Sequence, residues 1–242
     1  MEGRKKYELV REDTVQVKGI TLYRIKALID FYKVRAGDLG GYIQDERNLS
    51  HDGNAWVADN AMVYDNARVL GNAKIQGNAV VYNNAFVYDN AIVRDDTQVR
   101  DNAEVCEDAI ISEEAWITEN AKVRGTSRVR GDGYVFGNAM LVGDVVVYGN
   151  AKIRGNVWLR GTIFIGENAY IQNDNDFFVA SNVGTEYGTL TVYKTEDGLY
   201  ATRGCFCGSV EEFLKRSKEN HDEKTHNEYK LLVKVARSKI LG

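Results

Sequence analysis

From residue 53 to residue 172 the chain repeats one six-residue pattern of apolar and polar positions twenty times, with no residue inserted or deleted. The unit begins with Gly, Asp, Glu or Asn, continues with Asn or Asp, and closes as Ala-x-Val-x. Examples are Asp59-Asn60-Ala61-Met62-Val63-Tyr64 and Gly71-Asn72-Ala73-Lys74-Ile75-Gln76. Its fifth position is Val, Ile or Leu in every unit. Its third is Ala in fourteen, with Thr97, Ser127, Gly133, Val145, Val157 and Ile163 in the others. Successive side chains of an extended segment point to opposite sides, so the third and fifth positions share a dry face while the fourth and sixth face water. The leading pair tolerates a left-handed or turn backbone and bends the chain after each unit. Three such bends close a triangle.

Repetition at this period predicts a mainly β protein built as a parallel β-helix. The pairing of an aliphatic residue at i with a small one at i+4, Val57 with Ala61 and Val63 with Ala67, resembles the left-handed hexapeptide-repeat β-helix family over residues 53–172. That resemblance implies three strands per coil. Twenty units then make nearly seven coils, and a strand spacing of about 4.8 Å gives a prism roughly 30 Å long.

Both ends of such a rod carry unpaired strand edges and need covers. Residues 1–52 are expected to form an N-terminal β cap and an irregular first coil. Residues 7–10 and 14–17 read as short strands, Gly19 as a turn, and Leu39-Gly40-Gly41-Tyr42-Ile43 as the first coil. Residues 45–52 fall out of phase and read as a protruding loop. Residues 173–242 are expected to hold a decaying last coil, a hairpin about Asp197-Gly198 and two helices over the bottom coil. The first helix is opened by a Ser209/Glu212 capping box, and the second carries Tyr229, Leu232, Val233, Ala236 and Ile240 on one face. A cap containing Gly37-Asp38-Leu39-Gly40-Gly41-Tyr42, the Asn-Ala-x-Val rod and a Gly204-Cys205-Phe206 tail together resemble uncharacterised hexapeptide-repeat proteins of bacteria and their phages, often labelled transferases by fold alone.

A net charge of −4 in 242 residues speaks against dedicated nucleic-acid binding, which leaves a basic footprint, but admits a small anionic ligand. No apolar run of signal-peptide or membrane-spanning type occurs. The expectation is a cytoplasmic protein, in the host cytoplasm if phage-encoded. Cys106, Cys205 and Cys207 are too few for a disulfide framework, and Cys205-x-Cys207 lacks the two further ligands of a zinc site. Neither metal nor cofactor is predicted.

The family resemblance implies, for enzymes of this fold, a catalytic histidine between neighbouring rods of a trimer and an acyl-CoA donor. None of the three histidines lies in the rod, and only His51, with Asp45, Glu46 and Asp52 nearby, offers a general base. Zinc enzymes on the same fold bind metal through three histidines, which the rod lacks. Outward residues eighteen apart stack in columns and place Met62, Val80, Trp116 and Tyr134 beside Tyr64, Tyr82 and Phe136. Tyr64, Tyr82, Trp116, Tyr134 and Phe136 are the expected interface of a homo-oligomer, a trimer by the habit of the family it resembles. Arg94, Arg100, Arg124, Arg130, Arg154 and Arg160 also point outward. Of these, Arg100, Arg124, Arg154 and Arg160 are the expected binders of a small anionic or nucleotide ligand, with pairing to acidic corners such as Asp95 and Asp101 as the competing role. The function expected is therefore a non-catalytic, self-associating binding protein. An acyltransferase using His51 and a passive structural rod are the alternatives.

Overall fold

A computed structural model describes residues 5–242. Twenty short strands, β4 (Trp56–Val57) through β23 (Tyr170–Ile171), wind as a β-solenoid of about seven turns with three parallel sheets. Pairing runs strictly between residues eighteen apart, as in Ile92 with Lys74 and Ile110. Face 1 starts at β4 and has seven strands. Face 2 starts at Met62–Val63 and, with the three N-terminal strands Tyr7–Val17, Ile20–Ala27 and Leu39–Ile43, has ten, and face 3 starts at Arg68–Val69 and has six. Every fifth-position side chain from Val57 to Ile171 is fully buried.

The corners explain why the first position of the unit is Gly, an acidic residue or, at Asn83, an amide. All twenty of these residues have positive φ, from Gly53 at 67° to Glu167 at 49°. That region costs a residue with a Cβ about 1 kcal/mol or more. Acidic residues recover the cost by accepting the corner amide of the next turn: Glu107 accepts from Gly125 N–H at 2.8 Å, and Glu113 from Gly131 N–H at 2.8 Å. The second positions stack as amide ladders, for example Asn54 to Asn72 to Asn90 to Asp108.

β1 (Tyr7–Val17) is one continuous strand, bulged between Val10 and Thr14 rather than broken in two, and pairs antiparallel with β2 (Ile20–Ala27). β3 (Leu39–Ile43) runs parallel to Met62–Val63. Residues 45–52 do not protrude. They contain a 3₁₀ turn (Glu46–Asn48), bury Asn48 and Leu49, and bridge Leu49 to Val69 along face 3, because apolar Leu49 completes the lumen of the first turn. The segment that does stand out is residues 30–37. It is pinned by the Phe31/Val34 bridge and by Asp30, which accepts from Ala36 N–H at 2.8 Å.

The repeat does not decay past residue 172 into another coil. β24 (Phe177–Val183), β25 (Gly188–Thr195), β26 (Gly198–Arg203) and β27 (Phe206–Ser209) form an antiparallel sheet, with the hairpin at Asp197-Gly198 where expected. This sheet, not the helices, closes the bottom of the rod, and Phe177 and Tyr193 join the solenoid core. α1 (Val210–Asn220), capped by Ser209 and Glu212, and α2 (Glu223–Leu241) pack on the sheet's other side. Val192, Leu199, Phe213, Tyr229 and Val233 make a separate core there. The alternation of β25 supplies both cores: Tyr193 goes up and Val192 goes down.

Candidate functional site

His51 is engaged inside the N-terminal cap. Its Nδ1 accepts the Lys6 backbone N–H at 3.2 Å, which places the ring proton on Nε2, 3.5 Å from Glu46 Oε2. The ring also stacks on Tyr7 at 4.3 Å. With Nδ1 occupied by a donor and Nε2 protonated, it has no lone pair for a substrate proton. Among the described residues, no group of three or more His, Cys, Asp or Glu side chains is placed to hold a metal.

Face 2 carries the expected aromatic columns, but the chain itself covers their upper half. Val15, Val17, Ile20 and Leu22 of the β1–β2 hairpin pack on Met62, Tyr64, Val80 and Tyr82. Tyr64 is only 3% exposed, and burial pushes its phenol up to about 12, so it is closed to a partner. Below the hairpin, Trp116, Tyr134 and Phe136 remain accessible, with Tyr134 and Phe136 stacked at 4.3 Å. Arg100 sits 3.5 Å from Asp101, and Arg154 donates to the Tyr170 hydroxyl at 2.9 Å.

Arg124 and Arg160 lie on face 3. Arg124 shares Glu104 with Lys122 (2.9 and 2.8 Å) and with the Tyr88 hydroxyl, while Arg160 lies over the ring of Trp158. Within one chain, therefore, the four arginines singled out as ligand binders divide between two faces. Cys106, beside Tyr88, is buried, and that burial pushes its thiol up, away from reactivity.

Face 1 has the geometry of a walled trough. Its outward columns run Trp56, Lys74, Ile92, Ile110, Arg128, Val146, Phe164 and Ala58, Gln76, Arg94, Ser112, Arg130, Tyr148, Gly166. At the top, residues 30–37 hang Tyr32 over the sheet, with the Lys74 ammonium 4.0 Å from the ring centre. Hydrogen bonding to Lys74, and its charge, lower the Tyr32 phenol from its ordinary value. Two adjoining clefts of about 210 and 460 Å³ lie beneath this arm and reach down to Ile110.

At the bottom, the turn between β26 and β27 overhangs the sheet, held by the Thr202 hydroxyl donating to Phe164 O at 2.7 Å. A cleft of about 330 Å³ opens there among Arg128, Arg130, Tyr148, Phe164, Phe206 and Cys205. Tyr148 lies flat because Gly166 has no side chain: a Cβ there would stand 2.1 Å from the tyrosine ring. Burial, then hydrogen bonding to Cys207, pushes the Tyr148 phenol up, so it stays neutral. Arg94 pairs with Asp95 at 3.8 Å. Lys33, Lys74, Arg128 and Arg130 have no carboxylate partner among the described residues.

A larger concavity, about 520 Å³, runs along the corner at Gln44, Asp65, Asn83 and Asp101. Its polar groups already bond one another, Asn83 to Asp101 at 2.9 Å and Asn66 to Asn84 at 3.1 Å, so face 1 offers a ligand more unpaired chemistry. Sequence reasoning passed over Tyr32, Arg128, Tyr148 and Phe206 as site residues. The eighteen-residue columns would have aligned Lys74 with Arg128, but nothing in the repeat announces the two overhanging walls. No protein-family model and no curated protein sequence matches the chain.

Proposed function

We propose that the protein is a binding scaffold, a left-handed and self-associating β-solenoid that holds a small anionic molecule without transforming it. The observation that carries this reading is the lower cleft of face 1, where two arginines without acidic partners stand beside the rings of Tyr148, Phe164 and Phe206. Guanidinium groups bind phosphate or carboxylate in bidentate fashion, and flat aromatic walls accept a planar ring. A cleft of this volume suits a small molecule. Adenosine monophosphate, with one anionic group and one planar ring, is a suitable probe. Calorimetric titration should show binding that Arg128→Ala/Arg130→Ala abolishes, and mass spectrometry should recover the nucleotide unchanged. Equal affinity in the double variant, or conversion of the nucleotide, overturns the reading.

Self-association is supported by the lower half of face 2. Its upper half shows that apolar strands are the natural cover for this surface, and Trp116, Tyr134 and Phe136 present the same chemistry uncovered. Replacing Trp116, Tyr134 and Phe136 with Ser leaves the lumen and the hairpin's contacts with Tyr64 and Tyr82 untouched and should yield folded monomers. A wild type that sediments as a monomer, or a variant that keeps the same oligomer, removes face 2 as the interface.

A further inference from the structure

We infer that the face 1 trough takes one elongated molecule carrying an anionic group at each end and an uncharged, apolar body between them. This rests on reading the lower cleft as an anion site. Lys74 and Arg128 stand in one outward column three rungs apart, with Ile92 and Ile110 on the rungs between them. At about 4.8 Å per rung, the two cationic ends are separated by about 14 Å.

The corners bordering the trough sharpen the pattern. Those flanking Lys74 are Gly71-Asn72 and Gly77-Asn78, and those flanking Arg128 and Arg130 are Gly125-Thr126 and Gly131-Asp132. Between them the corners become Asp89-Asn90, Asp95-Asp96, Glu107-Asp108 and Glu113-Glu114. The single cation of that middle stretch, Arg94, is held by Asp95. Negative potential along both banks repels an anion from the middle, while the unpaired cations draw one to each end. The floor left for the body is isoleucine. The arm at residues 30–37 and the β26–β27 turn stop the trough at top and bottom, so ligand length is selected as well as charge.

Dodecanedioate has these features: its ten methylenes extend the carboxylates to about 14 Å apart. Binding to the full chain would be measured by calorimetry for dodecanedioate, dodecanoate (one anion, same body) and hexanedioate (two anions, short body). The long diacid should bind about tenfold or more tighter than either comparison, the gain expected when a second contact becomes intramolecular. Lys74→Ala should reduce it to the dodecanoate level and leave adenosine monophosphate binding unchanged. Arg128→Ala/Arg130→Ala should weaken both probes, and adding Lys74→Ala to that variant should remove the diacid's remaining anion contact and weaken it further. All three positions are outward, and matched melting curves would confirm intact folds. Equal affinity for the diacid and dodecanoate, or indifference of the diacid to Lys74→Ala, overturns the two-ended ligand while leaving the lower anion site standing. Indifference of adenosine monophosphate to the arginine double variant overturns the underlying reading itself.

Discussion

Two hydroxyls occupy third positions of the solenoid lumen, and the structure assigns them opposite energetic signs. Thr97 is fully buried and its Oγ1 has no hydrogen-bond partner. Ser127 is equally buried, but its Oγ donates to Gly143 O at 3.0 Å. An unpaired buried hydroxyl costs about 1–3 kcal/mol. Thr97→Val keeps the branched shape, removes that cost and adds a buried methyl, so it should stabilise the fold by about 1–2 kcal/mol. Ser127→Ala removes a satisfied bond and should destabilise by about 0.5–1.5 kcal/mol. Urea unfolding of both variants under identical conditions decides the matter. For a chain of this size each kcal/mol also moves the thermal midpoint by about 2–4 °C. A Thr97→Val midpoint at or below wild type, or shifts of the same sign in the two variants, would refute the assignment of Thr97 as an unsatisfied lumenal group.

Val87 is fully buried in the lumen, so Val87→Asp places a carboxylate where burial without a partner costs several kcal/mol; unchanged melting would show the side chain does not point inward. Stability should rise from about pH 8 and peak near pH 10. Burial holds the Lys6 ammonium down at about 8 against an ordinary 10.5, so the unfolded chain binds the extra proton and stability rises with pH across that window. Tyr7, Tyr64, Tyr148 and Tyr193 have phenols raised by burial. Above about pH 10 the unfolded chain therefore releases protons that the fold retains, and stability falls. Lys6→Met should erase the rise and keep the fall, whereas a wild-type melting profile that only declines from pH 7 would contradict the Lys6 environment. Gly166→Ala forces the Tyr148 ring out of its place and should weaken adenosine monophosphate binding with both arginines present; unaltered affinity would separate the ring from the site.

The solenoid was legible in the sequence because its determinants are local and repeated. Alternation puts Val87 inward whatever lies elsewhere in the chain, and a glycine, an acidic residue or an asparagine at each corner suffices to turn it. The capping box at Ser209 and the hairpin at Asp197-Gly198 were legible for the same reason, since each is closed by residues within a few positions of one another. The tertiary structure alone decided which surfaces the caps cover. Val15, Val17, Ile20 and Leu22 are apolar in the sequence, but only their packing on Tyr64 and Tyr82 shows that half of the aromatic face is already occupied. Leu49 read as part of a loop because it is out of phase, yet it lies in the lumen because the first turn has an apolar gap to fill. The columns of face 1 follow from a count of eighteen. Its walls do not: Tyr32 and Phe206 are brought to opposite ends of one sheet by the docking of two separate caps, and long-range packing of that kind leaves no periodic trace in the chain.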